Sequence, residues 1–204
     1  MQTMLHIINS GVSNLGSIQN MLKKCGVPFK VSDHGSDIAS ASKLILPGVG
    51  AFDKGMSNLN ERLFTEAILQ KVHEENVPIL GICLGMQLLL DQSEEGDLPG
   101  LGLISGRSKK FNLERKLKVP HMGWNTTKQV KESEISQYLY DENRFYFVHS
   151  YYVECCHPED ILMTTNYGGD FTCAIQKNHI FGVQFHPEKS HKFGLAILKR
   201  FCEL

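Results

Sequence analysis

The 204 residues carry 21 Lys and Arg against 22 Asp and Glu, a net charge of −1, and 42% of them are hydrophobic. That balance gives no electrostatic footing on nucleic acid or an anionic membrane surface, and the length suits one domain, residues 1–204, with a substantial core. No apolar run approaches the ~20 residues of a membrane span, and Met1-Gln2-Thr3-Met4-Leu5-His6 has neither a basic nor a signal-like stretch, so a cytoplasmic location is expected.

Leu5-His6-Ile7-Ile8-Asn9 reads as a short buried strand, followed by Gly11-Val12-Ser13-Asn14 and a helix with Leu15, Ile18, Met21, Leu22 and Cys25 on one face. Gly26 ends it. The spacing from Gly11 to Gly16-Ser17 matches part of a phosphate loop but lacks the Gly-Lys-Ser/Thr ending, which argues against a nucleotide there. Phe29-Lys30-Val31 is a second strand, and Lys43-Leu44-Ile45-Leu46-Pro47 a third apolar run that opens into Gly48-Val49-Gly50-Ala51-Phe52. Helical patterns from Met56 to Leu59 and from Leu63 to His73 precede a fourth run that begins at Val77. Strand and helix alternate, the signature of a parallel α/β sheet. In such sheets ligands collect beyond the carboxyl ends of the strands, where Gly48-Val49-Gly50 and Cys83 both fall.

Gly81-Ile82-Cys83-Leu84-Gly85 has the spacing of a nucleophile elbow, a tight strand-to-helix turn that tolerates only small neighbours and pushes its central side chain out of the sheet. The helix starting near Leu84 and a nearby histidine would favour the thiolate. Taken alone, a cysteine in an apolar run is as readily a small buried hydrophobe. The N–H of Leu84 and one from the loop at Val49 and Gly50 are the candidate donors for an oxyanion. The six cysteines (Cys25, Cys83, Cys155, Cys156, Cys173, Cys202) form no Cys-x-x-Cys pair, so neither a disulfide framework nor a metal site is indicated.

After Gln92 the alternation gives way to the turn-rich Ser93-Glu94-Glu95-Gly96-Asp97-Leu98-Pro99-Gly100 and then to strand-like pieces, an antiparallel extension of the same domain. The basic run from Lys109 to Lys118 reads as a solvated edge or loop. Pro120-His121-Met122-Gly123-Trp124-Asn125 holds the one tryptophan, which suits core or turn packing, although Met and Trp together are also what protein interfaces favour. Two His-Pro-Glu triplets follow, at His157-Pro158-Glu159 and His186-Pro187-Glu188. Read as a four-strand meander (145–155, 161–167, 171–177, 180–185), the chain brings His149 and His186 to one edge and leaves His157 at the other. At about 3.3 Å per residue, His149 and His157 would stand about 26 Å apart on one strand. His186, with Glu188 two residues on, gives a base and an orienting carboxylate in the arrangement that triads use.

With these segments in view, the chain resembles the triad (class I) glutamine amidotransferases, and in particular the glutaminase subunits of imidazole glycerol phosphate synthases. The resemblance covers nearly all of the sequence. It rests on Pro47-Gly48-Val49-Gly50-Ala51-Phe52, Gly81-Ile82-Cys83-Leu84-Gly85-Met86-Gln87, Pro120-His121-Met122-Gly123-Trp124-Asn125, Tyr146-Phe147-Val148-His149-Ser150-Tyr151 and Gly182-Val183-Gln184-Phe185-His186-Pro187-Glu188-Lys189-Ser190. It implies a flavodoxin-like, mostly parallel sheet with helices on both faces and an antiparallel extension in the C-terminal half. It also implies that Cys83 attacks the side-chain amide of L-glutamine, that His186 moves protons and that Glu188 orients His186, without a cofactor. Glutamine would be held by Gly48 and Val49 and by Gln87, Glu95, His149, Ser150 and Tyr151. The partner implied is a (β/α)₈-barrel cyclase subunit in a heterodimer, meeting Trp124, Met122, Lys189 and Asn14. One departure stands out: Asn9-Ser10-Gly11-Val12-Ser13-Asn14 occupies a loop that usually reads Asp-Tyr-Gly-x-Gly-Asn. That loop lies toward the partner, so the acceptor of the ammonia stays open between imidazole glycerol phosphate formation and surface-sugar modification. A γ-glutamyl cysteine hydrolase and a non-catalytic flavodoxin-like module are the rival readings.

Overall fold

The computed structural model describes residues 4–113, 117–137, 139–140 and 142–204. In chain order the first half gives β1 (Leu5–Ile8), α1 (Leu15–Cys25), β2 (Phe29–Ser32), β3 (Lys43–Gly48), α2 (Phe52–Glu61), α3 (Phe64–His73), β4 (Ile79–Cys83) and α4 (Leu84–Leu88). The second half gives β5 (Gln92–Ser93), β6 (Gly106–Lys110), β7 (His121–Thr126), β8 (Lys128–Gln129), β9 (Arg144–His149), β10 (Tyr151–Cys155), β11 (Ile161–Asn166), β12 (Asp170–Lys177), β13 (Ile180–Val183) and α5 (His191–Glu203). One large sheet runs β2-β1-β3-β4-β13-β12-β10-β6-β5, with β11 on β12 and β8 on β11. From β2 through β13 the neighbours are parallel, and the pairs β13–β12, β12–β10 and β10–β6 are antiparallel.

Because side chains on a strand alternate between faces, the apolar runs feed two cores at once. Ile7, Ile45, Leu80 and Ile82 pack with Ile18, Met21 and Leu22 of α1 and with Ile197, Leu198 and Phe201 of α5. Ile8, Leu44, Leu46 and Ile79 pack with Phe52, Met56 and Leu59 of α2 and with Phe64, Ile68 and Val72 of α3. Helices therefore cover both faces, as expected. Gly26 closes α1 in the left-handed conformation, its N–H on the Lys23 carbonyl. Among the described residues no helix is long and apolar enough to cross a membrane.

The expected four-strand meander is corrected in two places. Residues 145–155 do not form one strand: the chain bends at Ser150, β9 pairs with β7 in a separate two-stranded sheet, and only β10 joins the large one. Buried side chains fall at odd positions on both sides of the bend (Phe145, Phe147, His149, then Val153), so periodicity gives no sign of it. The last three strands do pair in sequence, β11 with β12 and β12 with β13 through Ala174 to Lys177, but the first does not pair with the second: β10 lies on β12 at Thr172 and on β6. The helix after Cys83 is also shorter than its apolar run suggests, ending at Leu88. In the basic run, Lys109 and Lys110 belong to β6, opposite Tyr152 and Tyr151, while residues 114–116 lie outside the described residues.

Candidate active site

β4 ends on Cys83, whose backbone at φ 55° and ψ −111° lies where few L-residues go. The flanking glycines explain how the turn fits. A Cβ on Gly85 would stand 1.8 Å from the Leu46 carbonyl oxygen, and one on Gly81 2.6 Å from that of Gly85. Any side chain at either position would push α4 off the sheet and release the turn.

Parallel pairing brings the second element. β13 runs beside β4 with Val183 opposite Ile82, so the chain that leaves β13 emerges next to the elbow and reaches His186. The His186 N–H donates to the Tyr146 carbonyl, and the Ser190 hydroxyl bonds the His186 carbonyl while accepting the Tyr146 N–H. Its Nδ1 meets Glu188 Oε1 at 2.7 Å, both side chains being buried. Nε2 is buried without a hydrogen-bond partner. Burial opposes charge on this imidazole, but the neighbouring Cys83 sulfur and the Glu188 carboxylate favour it, prevail and raise its pKa to about 9. The thiol, imidazole and carboxylate thus stand in the order that covalent catalysis requires.

Above them opens a cavity of about 440 Å³ lined by Val49, Gly50, Ala51, Cys83, Leu84, Gln87, Glu95, Pro120, Val148, His149, Ser150, Tyr151 and His186. Nearly every residue singled out from the sequence is here, with two corrections. Gly48 is buried beneath the cavity, opposite Cys83 in the β3–β4 ladder, where a Cβ would meet the Leu84 Cβ at 3.0 Å. It lets the strands close around the elbow and does not line the cavity. Val49 donates its N–H to the Val12 carbonyl at 2.6 Å, which leaves Gly50 and Leu84 as the oxyanion donors to consider. Glu95 accepts the N–H of Phe52 at the start of α2 through one oxygen and lines the cavity. Pro120, Val148 and Ala51 were not anticipated, nor was Gln184, buried completely beneath the sulfur.

His149 is held from behind. The Tyr151 carbonyl can only accept, so His149 Nδ1, at 2.7 Å, carries the proton and donates. His149 Nε2 then accepts from His121 Nδ1 at 2.9 Å, and His121 Nε2 faces the Asn125 amide at 3.3 Å. Both imidazoles are neutral: burial depresses His121 to about 4 and His149 to about 3. Both ring nitrogens of His149 are therefore engaged inside the protein. Between the unfolded value near 6.5 and these depressed ones only the unfolded chain binds the protons, so stability conferred by the pair is present above about pH 6.5 and lost as pH falls. His186 has the opposite sign, its contribution being complete below about 6.5 and lost as pH rises through about 9. Thermal unfolding followed from pH 7 to 4 is expected to show an acid limb of up to about 1.4 kcal/mol per pH unit per imidazole. His121→Asn should flatten that limb, and an unchanged acid slope in this variant would contradict the neutral pair.

Of the residues with an expected place on an outer face, Met122 is 62% and Trp124 45% exposed, so Trp124 is not a core residue. Trp124 stacks on His191, Lys189 lies over the Tyr146 ring, and Asn14 is exposed at the start of α1.

Residues 6–203 match the family model described as glutamine amidotransferase class-I. The "Imidazole glycerol phosphate synthase subunit HisH 2" of Methanococcus maripaludis is 51% identical over 200 residues, covering 98% of this chain and 99% of that protein. The subunit of the same name from Pseudomonas aeruginosa is 48% identical over 201 residues, covering 98% and 100%. Among solved structures, PurLQS from Thermotoga maritima superimposes with a TM-score of 0.77 at 15% identity, covering 100% of this chain and 99% of that one, a likeness of fold. The chain belongs to the class-I glutamine amidotransferase family, among the HisH subunits of imidazole glycerol phosphate synthase.

Proposed function

We propose that the chain is a glutaminase subunit that splits L-glutamine into glutamate and ammonia at Cys83 and delivers the ammonia to a cyclase partner. The observation that carries this reading is Cys83 at positive φ on its elbow, beside an imidazole that the sulfur and a buried carboxylate together keep charged. An amide is a weak electrophile with a poor leaving group, so a nucleophile, a proton donor and an oxyanion site are needed together. The Cys83 thiolate attacks the carboxamide carbon, forming a C–S bond. The oxyanion is met by the N–H groups of Leu84 and Gly50. As the intermediate collapses, the C–N bond breaks and His186 gives its proton to the departing nitrogen, leaving a thioester. The imidazole, now neutral, takes a proton from water, whose oxygen attacks the thioester carbon; the C–S bond breaks, the new carboxylic acid gives its proton to solvent as glutamate, and the thiolate and imidazolium are restored. Glu188 orients the ring throughout. The Glu95 carboxylate suits the substrate ammonium, with Ser150 and Tyr151 in the same lining.

A (β/α)₈-barrel cyclase of histidine biosynthesis is the partner this reading implies, with the subunit cytoplasmic and neither nucleic acid nor a membrane engaged. Met122, Trp124, Lys189 and Asn14 form its proposed docking face. The Ser10 and Ser13 departures leave the triad intact: Ser10 is buried, with its hydroxyl on the Pro47 carbonyl. Glutamine turnover assayed with and without the cyclase tests the function. Equal release of glutamate and ammonia, stimulated by the partner, is expected, whereas unstimulated cleavage of γ-glutamyl peptides would favour the hydrolase. Trp124→Ala should weaken assembly by about 2 kcal/mol or more, as interface anchors do, with little change in unfolding temperature. A destabilised variant of unchanged affinity would remove Trp124 from the interface.

A further inference from the structure

Beneath the sulfur lies a chain of buried amides whose direction one carbonyl fixes. Gln87 Nε2 is 3.2 Å from the Tyr151 carbonyl oxygen and 2.9 Å from Gln184 Oε1, and Gln184 Nε2 is 3.7 Å from Cys83 Sγ. A side-chain amide can be turned end for end, so each orientation has to be argued from its neighbours. The Tyr151 carbonyl can only accept, so the Gln87 group facing it is the NH₂. Reversing Gln87 would set oxygen against oxygen. With Gln87 donating, the Gln184 atom it meets must be the oxygen, since reversing Gln184 would set two NH₂ groups together. The Gln184 NH₂ is thereby left pointing at the sulfur. Gln184 is fully buried and Gln87 nearly so. Competing water is therefore excluded.

Resting on the reading of Cys83 as nucleophile, we infer that Gln184 is a further catalytic residue, whose amide N–H stabilises the Cys83 thiolate, and that Gln87 is a positioning residue that holds Gln184 in that orientation. The sulfur has a different neighbour for each of its states. As a thiol it lies 4.0 Å from the Val148 carbonyl, to which S–H can donate. As a thiolate it can only accept, and Gln184 offers the N–H. The donor lies on the protein side of the sulfur, opposite the cavity, so it holds the charge before glutamine arrives without occupying the substrate's space. Gln87, with both amide hydrogens engaged, has its carbonyl oxygen as the atom left to offer a ligand. The ionisable groups around the sulfur are His186 with Glu188 behind it and, across the cavity, His149, Glu95 and Tyr151. His186, as an imidazolium, can face the sulfur with an N–H from the cavity side, but that proton leaves for the departing nitrogen, whereas the Gln184 N–H stays; His149, with both ring nitrogens engaged, has none to offer.

The test is the pH profile of iodoacetamide alkylation at Cys83 in the full-length chain, read by peptide mass spectrometry so that the other cysteines are scored apart. Gln184→Met keeps the volume and removes the donor. It is expected to move the half-rise of alkylation about one pH unit to the alkaline side and to lower the rate at pH 7 about tenfold, with the high-pH plateau retained. With glutamine as substrate, kcat should fall while KM changes less than twofold, because Gln184 does not line the cavity. If Gln184→Met fails to fold, Gln87→Met is expected to shift the half-rise in the same direction by a smaller amount. A half-rise within roughly 0.2 pH units of the parent in a folded variant would overturn the inference. If Cys83 of the unmodified chain reacts no faster than the exposed Cys156 and glutamine does not protect it, the nucleophile reading itself fails, which is a separate result.

Discussion

Replacing Cys83 with alanine is expected to abolish glutamine hydrolysis, by at least about 10⁴-fold in kcat, while the folded chain still binds its partner and the partner still uses free ammonium. The expectation of a folded variant comes from the surroundings. Alanine is no larger than the side chain it replaces, and the glycines at 81 and 85, which any Cβ would drive into backbone oxygen, are untouched. Alanine must still adopt the positive φ, which costs about 1–2 kcal/mol and applies to cysteine equally. Loss of turnover with assembly retained separates chemistry from structure. Glutamine-dependent turnover in this variant would remove Cys83 as the nucleophile.

The two His-Pro-Glu triplets give the second large effect. His186→Ala is expected to cost about 10³-fold or more, since it removes both the proton donor for ammonia and the base for thioester hydrolysis. His157→Ala should change turnover less than twofold. His157 is exposed and precedes the short turn Pro158–Asp160, whereas His186 is 1% exposed and lines the cavity with Cys83. The unmodified chain should also lose kcat/KM as pH rises through about 9, where the imidazolium gives up its proton. A steady rate well above that pH, or a large loss at His157, would contradict this assignment.

The parts of the site that depend on local sterics are legible in the sequence. The glycines around Cys83 announce the elbow because only Gly fits beneath it, and the alternation of apolar runs and helices announces the parallel sheet. The strand end at His186 is legible too, and the two strands before it pair as a meander suggests, whereas the first strand of that meander splits and pairs elsewhere. His186 reaches the elbow because β13 lies beside β4, and His157 is kept away on an exposed turn. What escapes reading has no local mark. The bend at Ser150 leaves the in–out alternation intact. The contact of His121 with His149 comes from the β7–β9 ladder, and Gln184 takes its meaning from a partner 97 residues away. Val49 and Gly48 belong to the expected loop, but which N–H is free and which glycine lies beneath the cavity are settled by contacts with Val12 and Leu84.

The most direct measurement is peptide mapping of the protein acid-quenched during glutamine turnover. A glutamyl thioester on the peptide carrying Cys83, absent from Cys83→Ala and discharged by hydroxylamine, is the predicted result. Turnover that leaves that peptide unmodified, with the adduct on another cysteine or on none, would contradict the account.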